Sequence, residues 1–378
     1  MTKFSVFLGA ILLHLTVIVS GAVLLDLVTF KAGSTYGGCD GRTDTLDFWY
    51  QETLQSLESA LAAAAAYNNM DADGTRVRKA MFTYFGVLNR LTKNEKPEVA
   101  EIIDKMNQIV DWLENLFTNI PRDRTFLFCG SDFLVRKDPT TQALDFQGNG
   151  LVDTNGNSVP ISQVPAYQAS PLASFYPRLE WFRGTNCLNA QILPLPAPQT
   201  RGEVPWWSGE RTSINGYYFT SPDGGGNYCS DTGNLGLTST LKELVQGPNG
   251  PKEVEQEEAQ TIVICPNAFE SPAPSTYGEA VMKITEGIKL DLVVPKSTTL
   301  LHEAFHVVFG DEFLQANDET YGLAECVDAR KRDPTKARKN PENYVFFISA
   351  MHFLFGDPEG GITTTWDFAT APNKAKAI

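Results

Sequence analysis

The chain has 378 residues, enough for one large domain or two smaller ones. Hydrophobic residues make up 42 % and aromatic residues 11 %, so the chain can bury a core and is not of the intrinsically disordered class. The formal net charge of −14 argues against nucleic-acid binding, which needs a basic surface, and against docking on anionic lipid.

The N-terminus has the pattern of a targeting signal. Lys3 precedes an apolar run without charged residues from Phe4 to Leu25, with small residues at 20–22. A basic residue, an apolar run and a small-residue cleavage site are typical of a secretory signal. The run also approaches the length of a membrane span, so an uncleaved anchor is the alternative. We expect residues 1–22 to be removed and 23–378 to be secreted, extracellular and without membrane attachment.

The N-terminal part of the secreted chain, residues 23–130, shows the spacing of amphipathic helices. Apolar residues recur every three or four positions in Leu46–Tyr67, Arg76–Arg90 and Glu98–Phe117. We predict three helices that contribute to the core.

Residues 131–257 have a different composition, rich in proline, glycine and aromatic residues such as Trp206 and Trp207. This favours short strands and loops, with the tryptophans packed inside. The stretch Asp153–Asn157 partly matches a calcium-binding loop. It lacks the glycine and glutamate found later in such loops, so we expect an Asn-Gly turn. No internal repeat is apparent.

The C-terminal part, residues 258–378, combines strands with apolar helices. Thr261–Cys265 and Ile288–Val294 are predicted strands, each followed by proline. Thr298–Phe309 and Asn343–Phe355 are predicted helices.

The helix Thr298–Phe309 contains the pentapeptide H-E-x-x-H, in a chain with only four histidines. His302 and His306 are four residues apart, so both imidazoles lie on one helix face and can bind one metal ion. Glu303 is placed to handle the proton of the water that this metal activates. The motif predicts a site for one zinc ion.

A catalytic zinc site takes three protein ligands and keeps a fourth position for water. His352 lies in an apolar helix, where we expect it to be packed. The third ligand is then sought among the carboxylates after Gly310, which are Asp311, Glu312, Asp318, Glu319 and Glu325. Glu325 has roughly the offset at which gluzincin-type peptidases supply a glutamate, although the E-x-x-x-D that accompanies it there is absent.

The segment Asp318–Gly322 reads D-x-x-Y-G. H-E-x-x-H followed shortly by D-x-x-Y-G resembles the aspzincin metallopeptidases, the fungal secreted family of deuterolysin and peptidyl-lysine metalloendopeptidase. The resemblance covers about residues 36–130 and 258–355, and it leaves 131–257 as an insertion. Its further anchors are Tyr36–Cys39, Phe85–Gly86, Ile264–Pro266 and Asn340–Tyr344.

The resemblance implies a role for each matching residue. His302, His306 and Asp318 would bind zinc, Glu303 would be the general base, and Tyr321 would donate its hydroxyl to the developing oxyanion. In lysine-specific members, an acid in the segment that resembles Asn340–Tyr344 faces the residue after the scissile bond. Glu342 holds that position here, while Val345 replaces a second acid, so we expect Glu342 to bind substrate with a loose preference for lysine.

Six cysteines without a C-x-x-C pair predict three disulfides in an oxidising compartment. Pairing of neighbours, together with the family-like positions of Cys39 and Cys265, predicts Cys39–Cys129, Cys187–Cys229 and Cys265–Cys326.

The sequence therefore predicts a monomeric, secreted zinc endopeptidase that acts on proteins or peptides. We expect one domain over 23–378, of α+β class and zincin-like, largely helical with a small sheet and a loop-rich insertion. Two alternatives stay open. One is a secreted binding protein of the same fold that no longer cleaves, and the other is a gluzincin-type peptidase with Glu325 as third ligand.

Overall fold

A computed structural model describes the chain over 24–88, 96–116, 120–169, 204–220, 222–254, 259–314, 319–356, 364–367 and 374–377. The predicted signal, Cys187 and Asp318 lie outside these residues. Within them, no helix has both the length and the apolar character to cross a membrane.

The structure is of mixed α and β class, as predicted. The helices are α1 (Thr43–Ala65), α2 (Ala72–Phe85), α3 (Pro97–Leu113), α4 (Pro165–Ala169), α5 (Pro266–Glu270), α6 (Tyr277–Lys283), α7 (Thr298–Phe309), α8 (Leu323–Arg332), α9 (Pro334–Ala337) and α10 (Pro341–Phe355). The strands are β1 (Thr29–Phe30), β2 (Thr125–Phe128), β3 (Val135–Arg136), β4 (Val204–Trp207), β5 (Tyr217–Thr220), β6 (Gly236–Leu241), β7 (Leu244–Gly247), β8 (Gly250–Glu253), β9 (Ala259–Ile264), β10 (Thr364–Asp367) and β11 (Lys374–Ala377).

The predicted helices are confirmed, but two of them end early, and α3 ends at Leu113 although it was expected to reach Phe117. Helix α2 was expected to reach Arg90 but ends at Phe85. Gly86 follows with a φ of 73°, and its N–H donates to the carbonyl of Phe82. This left-handed conformation is common after the last helical turn and favours glycine, so Gly86 terminates the helix.

The central sheet has the order β1-β2-β9-β6. The first three strands are parallel, and β6 is antiparallel to β9, with Gly236 opposite Ile264. Strand β9 confirms the prediction for Thr261–Cys265. The strand predicted at Ile288–Val294 is wrong, since Leu290–Leu292 forms a 3₁₀ turn. Its buried residues, Leu290 and Val293, are three apart, the spacing of such a turn and not of a strand.

The described residues within 131–257 form mainly short strands and loops, as expected, together with the short helix α4, and Trp206 and Trp207 are buried. The stretch Asp153–Asn157 is a turn in which the Asp153 carboxylate accepts the N–H groups of Asn155 and Asn157. Eight residues earlier, Asp145 accepts the N–H groups of Gln147 and Asn149 in the same way. The structure therefore contains a short repeat of Asx turns that the sequence analysis missed.

The helical core surrounds α10, which packs against α1, α2 and α7. Tyr344 of α10 lies with its ring 4.7 Å from that of Phe85 and 4.6 Å from that of Phe305. His352 is packed, as predicted, with its ring 4.4 Å from that of Tyr277 and its Nδ1 3.1 Å from the Ser59 hydroxyl. These contacts fix α7 against the core, and α7 carries the H-E-x-x-H motif.

The disulfide Cys39–Cys129 is confirmed, and the other two predicted pairs are wrong. Cys229 is bonded to Cys265, and Cys326 is a buried free thiol. The antiparallel pairing of β6 with β9 explains the difference. It brings the chain just before β6 to the end of β9, where the N–H of Cys265 donates to the carbonyl of Leu235.

Glu52 of α1 is a buried carboxylate with a testable effect on stability. One of its oxygens accepts the N–H of Tyr277 at 2.8 Å, and the other has no hydrogen-bond partner. Burial raises the pKa of Glu52 above its usual 4.5, although the Tyr277 N–H and the neighbouring Ser297 hydroxyl oppose this. A carboxyl with a raised pKa holds its proton more tightly in the folded state, so its ionisation destabilises the fold as pH rises from 4.5 through the raised pKa.

We therefore expect the variant Glu52→Gln to lose this pH dependence. The free energy of unfolding of each protein is measured with urea at a series of pH values. The value for Glu52→Gln should increase relative to that of the wild type as pH rises from 4.5 through the raised pKa of Glu52. Parallel pH profiles for the two proteins would show that Glu52 does not contribute.

Candidate metal centre

Helix α7 places the H-E-x-x-H side chains on a fixed frame. Leu300, Leu301, Ala304 and Phe305 are fully buried and hold the helix in the core. The helix spans the predicted residues and ends before Gly310, which has a φ of 48°. His302 and His306 lie one turn apart with ring centroids 5.2 Å from each other. Both imidazoles therefore face the same space.

A third side chain meets the two histidines. Glu319 places Oε1 2.7 Å from Nε2 of His306 and Oε2 3.8 Å from Nε2 of His302. The Glu319 side chain is only 2 % exposed. Within the described part of the chain, these three residues form a group that could hold a metal ion, with one ligand atom from each and all three atoms within 4.8 Å of one another.

The donor set fits zinc, which binds histidine nitrogens and carboxylate oxygens. The environment of Glu319 supports this fit. Its Oε1 is buried and close to His306, yet it makes no well-directed hydrogen bond. A buried oxygen in that state is costly unless something else satisfies it, and a cation between the two imidazoles would do so.

The other residues that the sequence predicted for the site have three different outcomes. Tyr321 lies at the centre, because its hydroxyl donates to Glu319 and its ring is 5.8 Å from that of His302. Glu312 and Glu325 are exposed and are not part of the metal-binding group. Asp318, which the family resemblance implies as a ligand, lies outside the described residues. Glu319, its neighbour, was a candidate in the sequence and is the carboxylate that the structure brings to the histidines.

Glu342 lies behind a histidine and is mostly buried. Its Oε2 is 3.1 Å from Nδ1 of His302, on the opposite side of the ring from Glu319, and its side chain is 18 % exposed. A carboxylate on the second ring nitrogen fixes the orientation and tautomer of a metal-binding histidine. No pattern in the sequence indicates this contact, since it joins the start of α10 to the middle of α7.

Strand β6 brings two further residues that the sequence analysis missed. The Thr238 hydroxyl donates to Oε2 of Glu303 at 2.9 Å. The same carboxylate occupies the space where a side chain at Gly236 would begin. A glycine inside a strand often marks such a close approach, and this was the available signal.

The acidic groups change the protonation of the centre. Burial opposes the charged form of His302, but Glu342, Glu303 and Glu319 outweigh burial and raise its pKa to about 9. Burial raises the pKa of Glu303 despite the two histidines. For Glu319, burial acts upward, while His306, His302 and the Tyr321 hydroxyl act more strongly and leave its pKa lowered. The Glu319 carboxylate is therefore anionic at neutral pH.

The contact of Glu342 with His302 predicts a change in metal affinity. In Glu342→Ala, His302 loses the group that orients it, and we expect the metal affinity to fall about 10- to 100-fold. Competition of the protein with a coloured chelator measures this. Glu325→Ala, which removes an exposed acid, is the control. An unchanged affinity in Glu342→Ala would leave the contact without a role in metal binding.

Comparisons with protein-family models, with curated proteins and with solved structures find no match to this chain.

Proposed function

We propose that the protein is a secreted zinc-dependent endopeptidase that resembles the aspzincins. One observation carries this proposal: the two histidines of H-E-x-x-H converge with a buried carboxylate from the D-x-x-Y-G segment. We also propose that the fold is zincin-like. It is supported by a mixed sheet whose antiparallel edge strand, β6, lies beside the histidine helix.

When bound, zinc would polarise the scissile carbonyl and lower the pKa of its water to about 7. Glu303 would accept the proton of the attacking water and pass it to the leaving amine. Tyr321 would donate its hydroxyl to the oxyanion that develops in the transition state. In the structure this hydroxyl donates to Glu319, so it lies next to the metal ligands.

Strand β6 offers a binding surface for an extended peptide. The backbone carbonyl of Leu235 accepts a hydrogen bond from the N–H of Cys265, on the side of β6 that faces β9. Because backbone groups alternate between the two sides of a strand in an antiparallel pair, those of Thr238 and Thr240 face the outer side of β6. An extended chain can bind such an edge through main-chain hydrogen bonds. The net charge of −14 favours cationic substrates.

Secretion is supported by the N-terminal signal pattern and by the disulfides Cys39–Cys129 and Cys229–Cys265, since disulfides persist in oxidising compartments. The preference for lysine after the scissile bond stays a prediction. For this preference, Glu342 would have to bind the lysine side chain while it also contacts His302. Profiling of the sites that the protein cuts in denatured substrates tests the preference.

Two measurements test the proposed function. The purified protein should contain one zinc ion per chain, and it should cleave casein in a reaction that a chelator stops and added zinc restores. Bound zinc without cleavage would favour the alternative of a binding protein that no longer cleaves. Absence of zinc would contradict the proposal.

A further inference from the structure

We propose that strand β6 positions the general base, with Thr238 and Gly236 as the positioning residues for Glu303. This inference rests on the proposed function, because Glu303 needs a fixed position only if it transfers a proton. It gives residues 131–257 a role at the site, since β6 belongs to that segment.

Thr238 holds one oxygen of the carboxylate. Its hydroxyl lies 2.9 Å from Oε2 of Glu303 and 3.3 Å from the backbone carbonyl of the same residue. The terminal torsion of a glutamate side chain has only a broad, roughly two-fold preference, so the torsion alone does not fix the carboxylate. The hydroxyl selects one orientation and leaves Oε1 on the side of Gly236.

Gly236 leaves the space that Glu303 occupies. A Cβ on Gly236 would lie 2.4 Å from Oε1 of Glu303, 2.9 Å from its Cδ and 3.0 Å from its Cγ. Gly236 is not among the residues with a left-handed backbone. Any residue can therefore adopt its conformation, and the requirement for glycine is the space next to the carboxylate.

The strand cannot easily move away to relieve such a clash. Six consecutive residues of β6 pair with β9. The hydroxyl of Tyr228 donates to the carbonyl of Gly236 at 2.6 Å, and the neighbouring Cys229 is bonded to Cys265 at the end of β9. An added methyl group at Gly236 should therefore displace the Glu303 side chain and not the strand.

The test compares Gly236→Ala, Thr238→Val and Thr238→Ser. A misplacement of a catalytic group by about 1 Å costs on the order of a hundredfold in rate. We expect kcat to fall about 10- to 100-fold in Gly236→Ala and Thr238→Val, with KM and zinc content unchanged. Thr238→Ser keeps the hydroxyl and should recover most of kcat. Gly233→Ala is the control, because the nearest atom to its added Cβ, in the Asp231 carboxylate, is 3.4 Å away.

A crystal structure of metal-free Gly236→Ala provides a measurement apart from activity, and it should show the Glu303 carboxylate rotated off Thr238. Wild-type kcat in both Gly236→Ala and Thr238→Val would overturn the positioning role. So would a Thr238→Ser variant no better than Thr238→Val. If Gly236→Ala does not fold, the comparison of the two Thr238 variants decides. Absence of chelator-sensitive cleavage in the wild-type protein would instead contradict the proposed function.

Discussion

Replacing Glu303 by glutamine is expected to lower kcat about 10²- to 10⁴-fold, the usual contribution of a general base. Glutamine has nearly the same shape, and its amide oxygen can still accept the Thr238 hydroxyl that binds Oε2 of Glu303. It cannot accept a proton at neutral pH. The fold and the zinc should therefore remain while proton transfer is lost.

Steady-state kinetics, zinc content and melting temperature measured on the same preparation separate these effects. Glu312→Gln makes the same chemical change at an exposed position beyond α7 and should keep wild-type activity. Near-normal turnover in Glu303→Gln would remove Glu303 from the mechanism.

Replacing Glu319, the proposed third zinc ligand, is also expected to have a large effect. We expect Glu319→Ala to lose zinc, with an affinity reduced by more than the roughly hundredfold that loss of an outer-shell partner costs. The reason is the approach of its buried oxygens to Nε2 of both His302 and His306. Zinc content after dialysis, followed by competition with a chelator, measures the loss.

Variants of two other candidate carboxylates serve as controls for Glu319→Ala. Glu325→Ala should keep its zinc, because Glu325 is exposed and outside the metal-binding group. Asp318→Ala should also keep it. Retention of zinc by Glu319→Ala together with its loss from Asp318→Ala would assign the ligand as the aspzincin resemblance implies. Loss from Glu325→Ala alone would favour the gluzincin-type alternative.

The sequence predicts those parts of the structure that local spacing determines. The helix over Thr298–Phe309 follows from its apolar residues, and the convergence of His302 and His306 follows from the helical repeat alone. The apolar residues at Ile288–Val294 were misleading, because a short apolar run does not distinguish a strand from a buried turn.

Contacts between segments that are far apart in the chain could not be predicted from the sequence. Asp318 and Glu319 are adjacent carboxylates whose side chains differ by one methylene group, and which of them can reach the histidines depends on the path of the loop. The pairing of Cys229 with Cys265 depends on the register of β6 on β9, and so does the contact of Thr238 with Glu303. No periodicity in either segment encodes that register.

The dependence of the site on one strand register has a consequence for insertions and deletions in this chain. Side chains alternate between the two faces of a strand, so a shift of one residue turns every side chain to the opposite face. Insertion of one residue between Cys229 and Gly236 would bring Leu237, which has no hydroxyl, to the place of Thr238 and Leu235 to the place of Gly236, next to Glu303. The Cys229–Cys265 disulfide and the hydrogen bond from Tyr228 to Gly236 hold the segment that leads to Thr238. The number of residues between Cys229 and Thr238 is therefore fixed, whereas the chain before Tyr228 can vary in length more easily.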